Sequence, residues 1–307
     1  MTLDTSRSTV AVLGPGGIGG LLAALLARDG HRVVCLARKG TADILRDRGI
    51  EVRSRRFGDF TARVEADTEL REPVDACLIT VKQTSLDAAL TRVPSAALGD
   101  ALVVPLLNGI EHPAALRARY GAGRVAAGVI RVESTRLEPG ATGPVVIEHG
   151  SPFVEIDLAP GTASRPRVDT LAAGLSAAGA VTRVIEDETT ALWAKLAFLA
   201  PFALLTTRYE APLGEVRVRH QEELRSLVAE TTAIGRADGA RVDAATTLAR
   251  YDAFPAEARS SMQRDAEAGR PLELDAIGGA LLRAADRHGV SAPVTSRLVR
   301  ELRAAGH

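Results

Sequence analysis

The chain has 307 residues and a formal net charge of zero, with 38 basic and 38 acidic residues. Hydrophobic residues make up 46% and charged residues 25%, as in ordinary globular proteins, which excludes a disordered or fibrous chain. The balanced charge argues against a nucleic-acid binder and against a protein held on an acidic membrane surface. The length suits roughly two domains of ~150 residues each.

The N-terminal part alternates short apolar strands with helical segments, which predicts an α/β domain with a doubly wound parallel sheet. Its first helix is predicted over 18–29. The predicted strands cover 9–13, 31–37, 76–81, 101–106 and 125–129. These strands lack polar alternation, as expected when helices cover both faces of a sheet.

The next segment, about 131–185, is rich in β-forming residues and carries turn signals at 138–140 and 150–152. A helix is predicted over 167–178 and a last strand over 181–185. The first domain is therefore predicted to span 1–186.

Apolar residues at helical spacing fill the remainder and predict an all-helical second domain, 187–307. The predicted helices cover 189–208, 214–238, 244–251 and 273–288, with a final helix from Pro293. No uninterrupted apolar run approaches the ~20 residues of a membrane helix, and the chain does not open with a secretory signal. We therefore expect a cytoplasmic protein without membrane contact.

Cysteine and histidine give little sign of chemistry. Cys35 and Cys77 lie in apolar strand segments, so we expect two buried thiols without a redox role. The six histidines are scattered along the chain, and their spacing does not suggest coordination, so no metal site is expected.

A G-x-G-x-x-G pattern, Gly14-Pro-Gly-Gly-Ile-Gly19, joins the first strand to the first helix. Gly14 permits the tight turn, Gly16 lets backbone N–H groups approach a pyrophosphate, and Gly19 allows close helix packing. An ordinary glycine-rich turn is the alternative, but the strand and helix on either side favour a dinucleotide site. The predicted contact residues are Gly14, Gly16, Gly17, Ile18 and Gly19.

The end of the second strand normally decides which adenosine ribose is accepted. An acidic residue there binds the 2′-hydroxyl of NAD, but this chain has Ala37-Arg38-Lys39. Two cations favour the 2′-phosphate of NADP, with Arg38 as its ligand. A solvated basic loop is the alternative.

Lysine and asparagine are rare here, since only three of the 38 basic residues are lysines and Asn108 is the single asparagine. A lysine or asparagine that is present despite this bias is more often needed for the chemistry of its ammonium or amide group. Lys82 and Asn108 each follow a predicted strand, where the carboxyl ends of parallel strands border a ligand crevice. We expect both beside the cofactor; a surface cation and a helix cap are the alternatives.

Lys195 lies just past the predicted domain junction, in Leu-Trp-Ala-Lys-Leu-Ala. An ammonium aimed at a carbonyl can stabilise the developing alkoxide and donate its proton as a general acid. The alternative is a lysine that only extends from an amphipathic helix. Ser261 and Glu273 suit recognition of a small oxo acid, but both residue types are also ordinary helix caps or first-turn residues.

Together these motifs resemble the ketopantoate reductase family, the 2-dehydropantoate 2-reductases of the 6-phosphogluconate-dehydrogenase-like group. The resemblance covers nearly the whole chain. It rests on the glycine pattern, Arg38, Val81-Lys82, Asn108-Gly109, Trp193-x-Lys195-Leu196, Ser260-Ser261-Met262 and Glu273-x-Asp275. It implies a Rossmann-like domain followed by a helical domain, and NADPH-dependent reduction of 2-dehydropantoate to pantoate in pantothenate biosynthesis.

The resemblance also implies a role for each matching residue. Lys195 would be the general acid beside the keto oxygen, and Glu273 would bind the substrate hydroxyl and that lysine. Ser261 would contact the substrate carboxylate, and Arg38 would hold the 2′-phosphate of NADPH. The positions that would line the crevice for cofactor and substrate are Lys82 and Asn108.

One departure leaves the substrate open. Ketopantoate reducers resemble one another in carrying Asn residues one and two helical turns after the catalytic lysine, where this chain has Leu199 and Ala203. Since Asn108 is the only asparagine, a shifted alignment cannot restore them. The alternatives are a reductase of a less polar carbonyl compound, a non-catalytic NADP-binding sensor and, more remotely, an opine-dehydrogenase-like enzyme. Two copies could pair as a homodimer through their helical domains.

Overall fold

The computed structural model describes residues 7–137 and 143–306, so the turn signal at 138–140 lies outside the described residues. The chain divides into two compact units. The first comprises Met1–Leu107 and His112–Glu188, and the second comprises Asn108–Glu111 and Thr189–His307. The short segment Asn108–Glu111, within the predicted first domain, thus groups with the helical unit.

The first unit contains all of the described strands. These are β1 (Thr9–Leu13), β2 (Arg32–Leu36), β3 (Ile50–Ser54), β4 (Phe60–Ala62), β5 (Glu65–Asp67), β6 (Ala76–Ile79), β7 (Leu102–Pro105), β8 (Ala127–Arg131), β9 (Ser134–Arg136), β10 (Val145–His149), β11 (Glu155–Ala159) and β12 (Val181–Val184). Its helices are α1 (Gly17–Arg28), α2 (Lys39–Arg48), α3 (Leu86–Leu90), α4 (Ser95–Leu98), α5 (His112–Tyr120) and α6 (Arg165–Ala177), with 3₁₀ turns at Gln83–Ser85 and Ala122–Arg124.

The main sheet is five-stranded and parallel, in the order β5-β2-β1-β6-β7. Helices cover both of its faces, as the uniformly apolar strands predicted. Along the central strand β1, Val10 and Val12 pack into one core with α1, whereas Ala11 and Leu13 pack into a second core on the opposite face. The predicted α/β fold class is confirmed.

Two smaller sheets complete the first unit, in the orders β4-β3-β10-β9 and β12-β11-β8. The sequence did not predict β3, whose residues Ile50, Val52 and Ser54 are buried while the charged residues between them are more exposed. Such mixed strands lack the apolar runs that mark the main sheet. The predicted strand 125–129 is displaced, because Val125 forms only a bridge to Val103 and β8 pairs antiparallel with β11.

The second unit is helical, as predicted. Its helices are α7 (Glu188–Tyr209), α8 (Leu213–Arg219), α9 (Gln221–Ala237), α10 (Ala244–Ala253), α11 (Ser261–Glu267), α12 (Ala280–His288) and α13 (Pro293–Ala304). The predicted helix 214–238 is broken at His220, whose backbone leaves the helical region. A π-helical turn, Asp275–Gly279, precedes α12, and such turns are frequent at functional sites.

Helix α7 is the central apolar helix of this unit. By length and composition it could cross a membrane, although 72% of its most apolar 18-residue window is buried within the protein. The search for uninterrupted apolar runs missed it, because single polar residues such as Lys195 interrupt the run. A mostly buried core helix passes the same test, so α7 is weak evidence for a membrane span.

Candidate active site

The glycine turn after β1 depends on a backbone conformation that favours glycine. Gly14 has φ +87°, and its N–H donates to the Leu36 carbonyl oxygen at 3.1 Å. A Cβ at this position would lie 2.4 Å from Cγ1 of Val81. The tight turn assigned to Gly14 from the sequence is therefore present.

The other glycines of the pattern separate into two groups. A Cβ on Gly17 would lie 2.1 Å from the Ser134 carbonyl oxygen, and a Cβ on Gly19 would lie 2.2 Å from Oγ1 of Thr80. A Cβ on Gly16 would approach only the Gly14 carbonyl oxygen, at 3.9 Å. Protein packing thus explains Gly17 and Gly19 but leaves open space at Gly16, at the N-terminus of α1.

This open space is what a dinucleotide needs. Gly16 is the N-cap residue of the 12-residue helix α1, and the buried body of that helix packs in the first unit's core. The first N–H groups of a helix lack intrahelical acceptors and carry positive partial charge. A pyrophosphate can approach them closely only where no Cβ intervenes, so the turn fits a dinucleotide cofactor.

Two residues that the sequence analysis missed hold this turn. The Thr80 hydroxyl donates to the carbonyl oxygens of Leu13 (3.0 Å) and Gly14 (2.9 Å). The Ser134 hydroxyl on β9 donates to the Gly17 carbonyl oxygen at 2.9 Å. The position of Thr80 just after a buried strand was a usable signal, whereas Ser134 is 117 residues away in sequence from Gly17.

Arg38 is the exposed N-cap residue of α2, directly after the second strand of the main sheet. The neighbouring Lys39 forms an ion pair with Asp43 at 3.0 Å, within the same helix. Lys82 is exposed and precedes the 3₁₀ turn after β6, where its carbonyl oxygen accepts from the Ser85 N–H. Both predicted cations therefore lie close after the ends of main-sheet strands.

In the second unit, the structure joins two predicted residues that are 165 positions apart in sequence. The amide Nδ2 of Asn108 donates to Oε2 of Glu273 at 2.9 Å. Glu273 is only 7% exposed and lies just before the π-helical turn. A buried carboxylate is costly without donors, so the amide both stabilises it and fixes its orientation.

The segment Asn108–Glu111 packs tightly against the π-helical turn. Gly109 has φ +92°, and a Cβ there would lie 2.7 Å from the Ala276 carbonyl oxygen. At the other end of the segment, Arg283 donates to both carboxylate oxygens of Glu111, at 2.9 and 2.7 Å. Arg283 also pairs with Asp275 at 3.0 Å. These contacts hold Asn108 where it meets Glu273.

Lys195 lies in the second turn of α7 and is partly exposed. Its helix is anchored two residues earlier, where Nε1 of Trp193 donates to Oδ2 of Asp238 at 2.7 Å. Nε2 of His288 lies 2.7 Å from the other oxygen of that carboxylate. Burial raises the pKa of Asp238, but the hydrogen bonds from Trp193 and His288 outweigh it, so this pKa lies below its usual value. The anchor ties together α7, α9 and α12.

The serine pair divides into a structural and an accessible residue. Ser260 is 1% exposed, and its hydroxyl oxygen accepts from the Gln263 N–H (3.0 Å) and from the Thr206 hydroxyl (2.8 Å). It is the N-cap of α11. Ser261 is exposed. The helix-cap role left open by the sequence belongs to Ser260, and the hydroxyl of Ser261 is accessible to a ligand.

The two positions that depart from the family pattern, Leu199 and Ala203, differ in how exposed they are. Leu199 lies one helical turn after Lys195 and is partly exposed. Ala203 is 1% exposed and belongs to the helical core. Beside them is an aromatic cluster of stacked and tilted rings, formed by Phe198, Phe202, Tyr251 and Phe254. The accessible surface next to Lys195 on α7 therefore includes an apolar side chain.

The two cysteine thiols are buried in the main sheet. Cys35 on β2 and Cys77 on β6 are fully buried, and burial raises the pKa of each thiol to about 12. A thiol with that pKa is protonated at neutral pH and is a poor nucleophile. Within residues 7–137 and 143–306, no group of three or more His, Cys, Asp or Glu side chains could hold a metal ion.

The sequence matches two models of the same protein family, one in each half of the chain. The family model for ketopantoate reductase PanE/ApbA matches residues 10–150, and the model for its C-terminal region matches residues 187–306. The chain belongs to the ketopantoate reductase family. Members of this family are oxidoreductases acting on a CH–OH group, and so is this protein. A nicotinamide cofactor follows from the family.

Relatives and solved structures agree over the full length. A 2-dehydropantoate 2-reductase of Caulobacter vibrioides is 30% identical, with 97% of this chain and 99% of that protein covered. One from Mycobacterium tuberculosis is also 30% identical, covering 96% of this chain and 97% of that protein. The crystal structure of 2-dehydropantoate 2-reductase from Geobacter metallireducens has a TM-score of 0.86 at 28% identity, covering 97% and 99% of the two chains. Sheet unit and helical unit both belong to this shared fold.

Proposed function

We propose that this protein is an NADPH-dependent reductase that converts a small 2-oxo acid into the 2-hydroxy acid, with 2-dehydropantoate as the leading substrate. The observation that carries the proposal is the hydrogen bond between Asn108 and Glu273, two residues selected independently from the sequence. The full-length relatives that are named 2-dehydropantoate 2-reductases support the substrate and a place in pantothenate biosynthesis.

The first unit is proposed to bind the cofactor. The open space at Gly16 supports a pyrophosphate position at α1, and the exposed Arg38 supports a 2′-phosphate contact. Lys82 is proposed to line the crevice shared with the substrate. When bound, NADPH supplies the hydride that reduces the carbonyl carbon.

The second unit is proposed to supply proton transfer and recognition. The Lys195 ammonium donates a proton to the carbonyl oxygen as the new hydroxyl forms, and the resulting amine regains a proton from solvent. Glu273, oriented by Asn108, accepts a hydrogen bond from the substrate hydroxyl. Ser261 donates to the substrate carboxylate. A side chain that is already oriented stabilises the reacting substrate more than a mobile side chain does, because it pays no free energy to reorganise.

We also propose the domain boundaries, the location and the oligomeric state of the protein. Its cofactor domain is 1–186 and its catalytic domain is 187–307. A cytoplasmic location suits a biosynthetic reductase, and a homodimer paired through the helical domains is testable by light scattering at several concentrations.

The test is substitution of the proposed acid. Lys195→Ala should lower kcat for 2-oxo acid reduction by about 10²-fold or more, because general acid–base catalysis typically contributes 10²–10⁴-fold. NADPH affinity, measured by fluorescence titration, should stay within about twofold, since the Lys195 side chain acts on the substrate.

Lys195→Arg is the matched variant, because it keeps the positive charge on α7 but cannot give up its proton. It should lose activity nearly as fully as Lys195→Ala. Turnover within about tenfold of wild type in either variant would refute Lys195 as the acid. A wild-type protein that binds NADPH but reduces no 2-oxo acid would instead support a non-catalytic sensor.

A second candidate is a reductase of a less polar carbonyl compound. The partly exposed Leu199, one turn after Lys195, is the observation that favours it. A substrate hydroxyl placed against this side chain would lose a hydrogen bond to water without gaining one, whereas an apolar substituent would gain burial.

A further inference from the structure

Strand β9 lies at the edge of the four-stranded sheet and touches the glycine turn. Its first residue, Ser134, contacts Gly17 through the hydroxyl-to-carbonyl hydrogen bond of 2.9 Å. The fit is so close that a Cβ on Gly17 would collide with the Ser134 backbone. Side chains two residues apart share one face of a strand, so Arg136 is on the same face as Ser134.

Arg136 reaches the start of α2. Its Nη2 donates to Oγ1 of Thr41 at 3.4 Å, across 95 residues of sequence. Thr41 is the third residue of α2, and Arg38 is the N-cap of the same helix. Arg136 as a whole is partly exposed. Arg136 therefore lies at the N-terminal end of α2, where Arg38 is the N-cap residue.

The charges at this helix end favour an anion. The side chains of Arg38, Lys39 and Arg136 are all cationic there, and the helix begins Lys-Gly-Thr-Ala. The first N–H groups of the helix add positive partial charge. Asp43 pairs with Lys39, but one turn further into the helix. Gly40 offers no obstruction, since a Cβ there would meet nothing within 4 Å.

We propose that Arg136 binds the 2′-phosphate of NADPH together with Arg38, and so contributes to the choice of NADPH over NADH. This inference rests on the proposed cofactor. Arginine suits the role because its planar guanidinium can bind a phosphate monoester through two parallel hydrogen bonds. Strand β9 then serves the cofactor at two points, with Ser134 supporting the pyrophosphate turn and Arg136 contacting the phosphate about 6.6 Å further along the strand.

The test measures cofactor binding without substrate, so it does not depend on catalysis. NADPH and NADH are titrated by nicotinamide fluorescence into wild type, Arg136→Ala, Arg38→Ala and Arg48→Ala. Arg136→Ala should weaken NADPH binding by about tenfold or more and NADH binding by less than about twofold, because only NADPH carries the 2′-phosphate that the guanidinium would bind. Arg48 is the matched control, because it is exposed at the opposite end of α2 and donates to the Gly143 carbonyl oxygen.

Each other outcome overturns the proposal or a part of it. If Arg136→Ala weakens NADPH and NADH equally, the side chain is structural and the assignment is wrong. If Arg38→Ala alone reduces NADPH affinity, Arg136 is not a ligand but the proposed function stands. If neither variant changes the preference, the NADPH assignment falls as well. Should Arg136→Ala fail to fold, Arg136→Lys keeps the charge, and an unchanged preference for NADPH would refute the need for a guanidinium.

Discussion

At the scale of single residues, the four glycines of the G-x-G-x-x-G pattern are needed for different physical reasons. Gly14 needs a positive φ, while Gly17 and Gly19 are required by close backbone and side-chain neighbours. Gly16 alone has open space where its side chain would be. Backbone conformation and packing therefore account for Gly14, Gly17 and Gly19. Neither accounts for Gly16, which is where we propose that the cofactor binds.

This difference predicts opposite effects for two neighbouring substitutions. Gly16→Ala meets no protein atom closer than 3.9 Å, so thermal stability should be nearly unchanged while NADPH affinity falls by about tenfold or more. Gly17→Ala would force Ser134 away and should cost about 2 kcal/mol or more of unfolding free energy. Calorimetry and fluorescence titration together separate the two. A Gly16→Ala protein that binds NADPH as tightly as wild type would contradict a pyrophosphate at this turn.

Among single residues, a rare residue type was the signal that selected candidates for the site. The single asparagine and the lysine of α7 were selected for that reason, and the hydrogen bond from Asn108 to Glu273 was not foreseen. Apart from the family resemblance, the sequence could not separate Ser260 from Ser261, because a serine at either position suits a helix start. Only packing distinguishes the buried cap from the exposed hydroxyl.

At the scale of secondary-structure elements, strands and helices with long apolar patterns were predicted well. Elements of mixed polarity were not. Four of the five main-sheet strands, β1, β2, β6 and β7, and helix α7 follow from apolar residues. The fifth strand, β5, has a single apolar residue and was not predicted. Strand β3 alternates buried and more exposed residues over only five positions, and the π-helical turn at 275–279 lies inside a stretch predicted as one regular helix. The segment Asn108–Glu111 joins the helical unit through contacts with residues such as Ala276 and Arg283, which no local pattern encodes.

Helix α7 places Leu199 one turn after Lys195, and this spacing predicts a change of specificity. Leu199→Asn should raise kcat/KM for 2-dehydropantoate relative to 4-methyl-2-oxopentanoate by about tenfold, since an amide can pair with the substrate hydroxyl and an alkyl chain cannot. Leu248→Asn is the matched control, because Leu248 is also partly buried and packs on the same core from α10. An unchanged ratio for Leu199→Asn, or the same shift in both variants, would remove Leu199 from the substrate site.

At the scale of the whole molecule, the proposed function assigns different parts of one reaction to the two units. The sheet unit has the open glycine turn and the arginines at α2, whereas the helical unit has Lys195, Ser261 and the Asn108–Glu273 pair. The family resemblance predicted a Rossmann-like domain followed by a helical domain, because its motifs follow the same order along the chain. The substrate was not predictable to the same degree, because Leu199 and Ala203 depart from the family pattern.

The most direct test of the account is the rate of NADPH oxidation by the purified wild-type protein, followed by the loss of NADPH absorbance. 2-Dehydropantoate and a panel of other 2-oxo acids would be compared at equal concentration. We expect turnover that requires a 2-oxo acid, with 2-dehydropantoate among the substrates that are reduced. A protein that binds NADPH but reduces none of these compounds would contradict it.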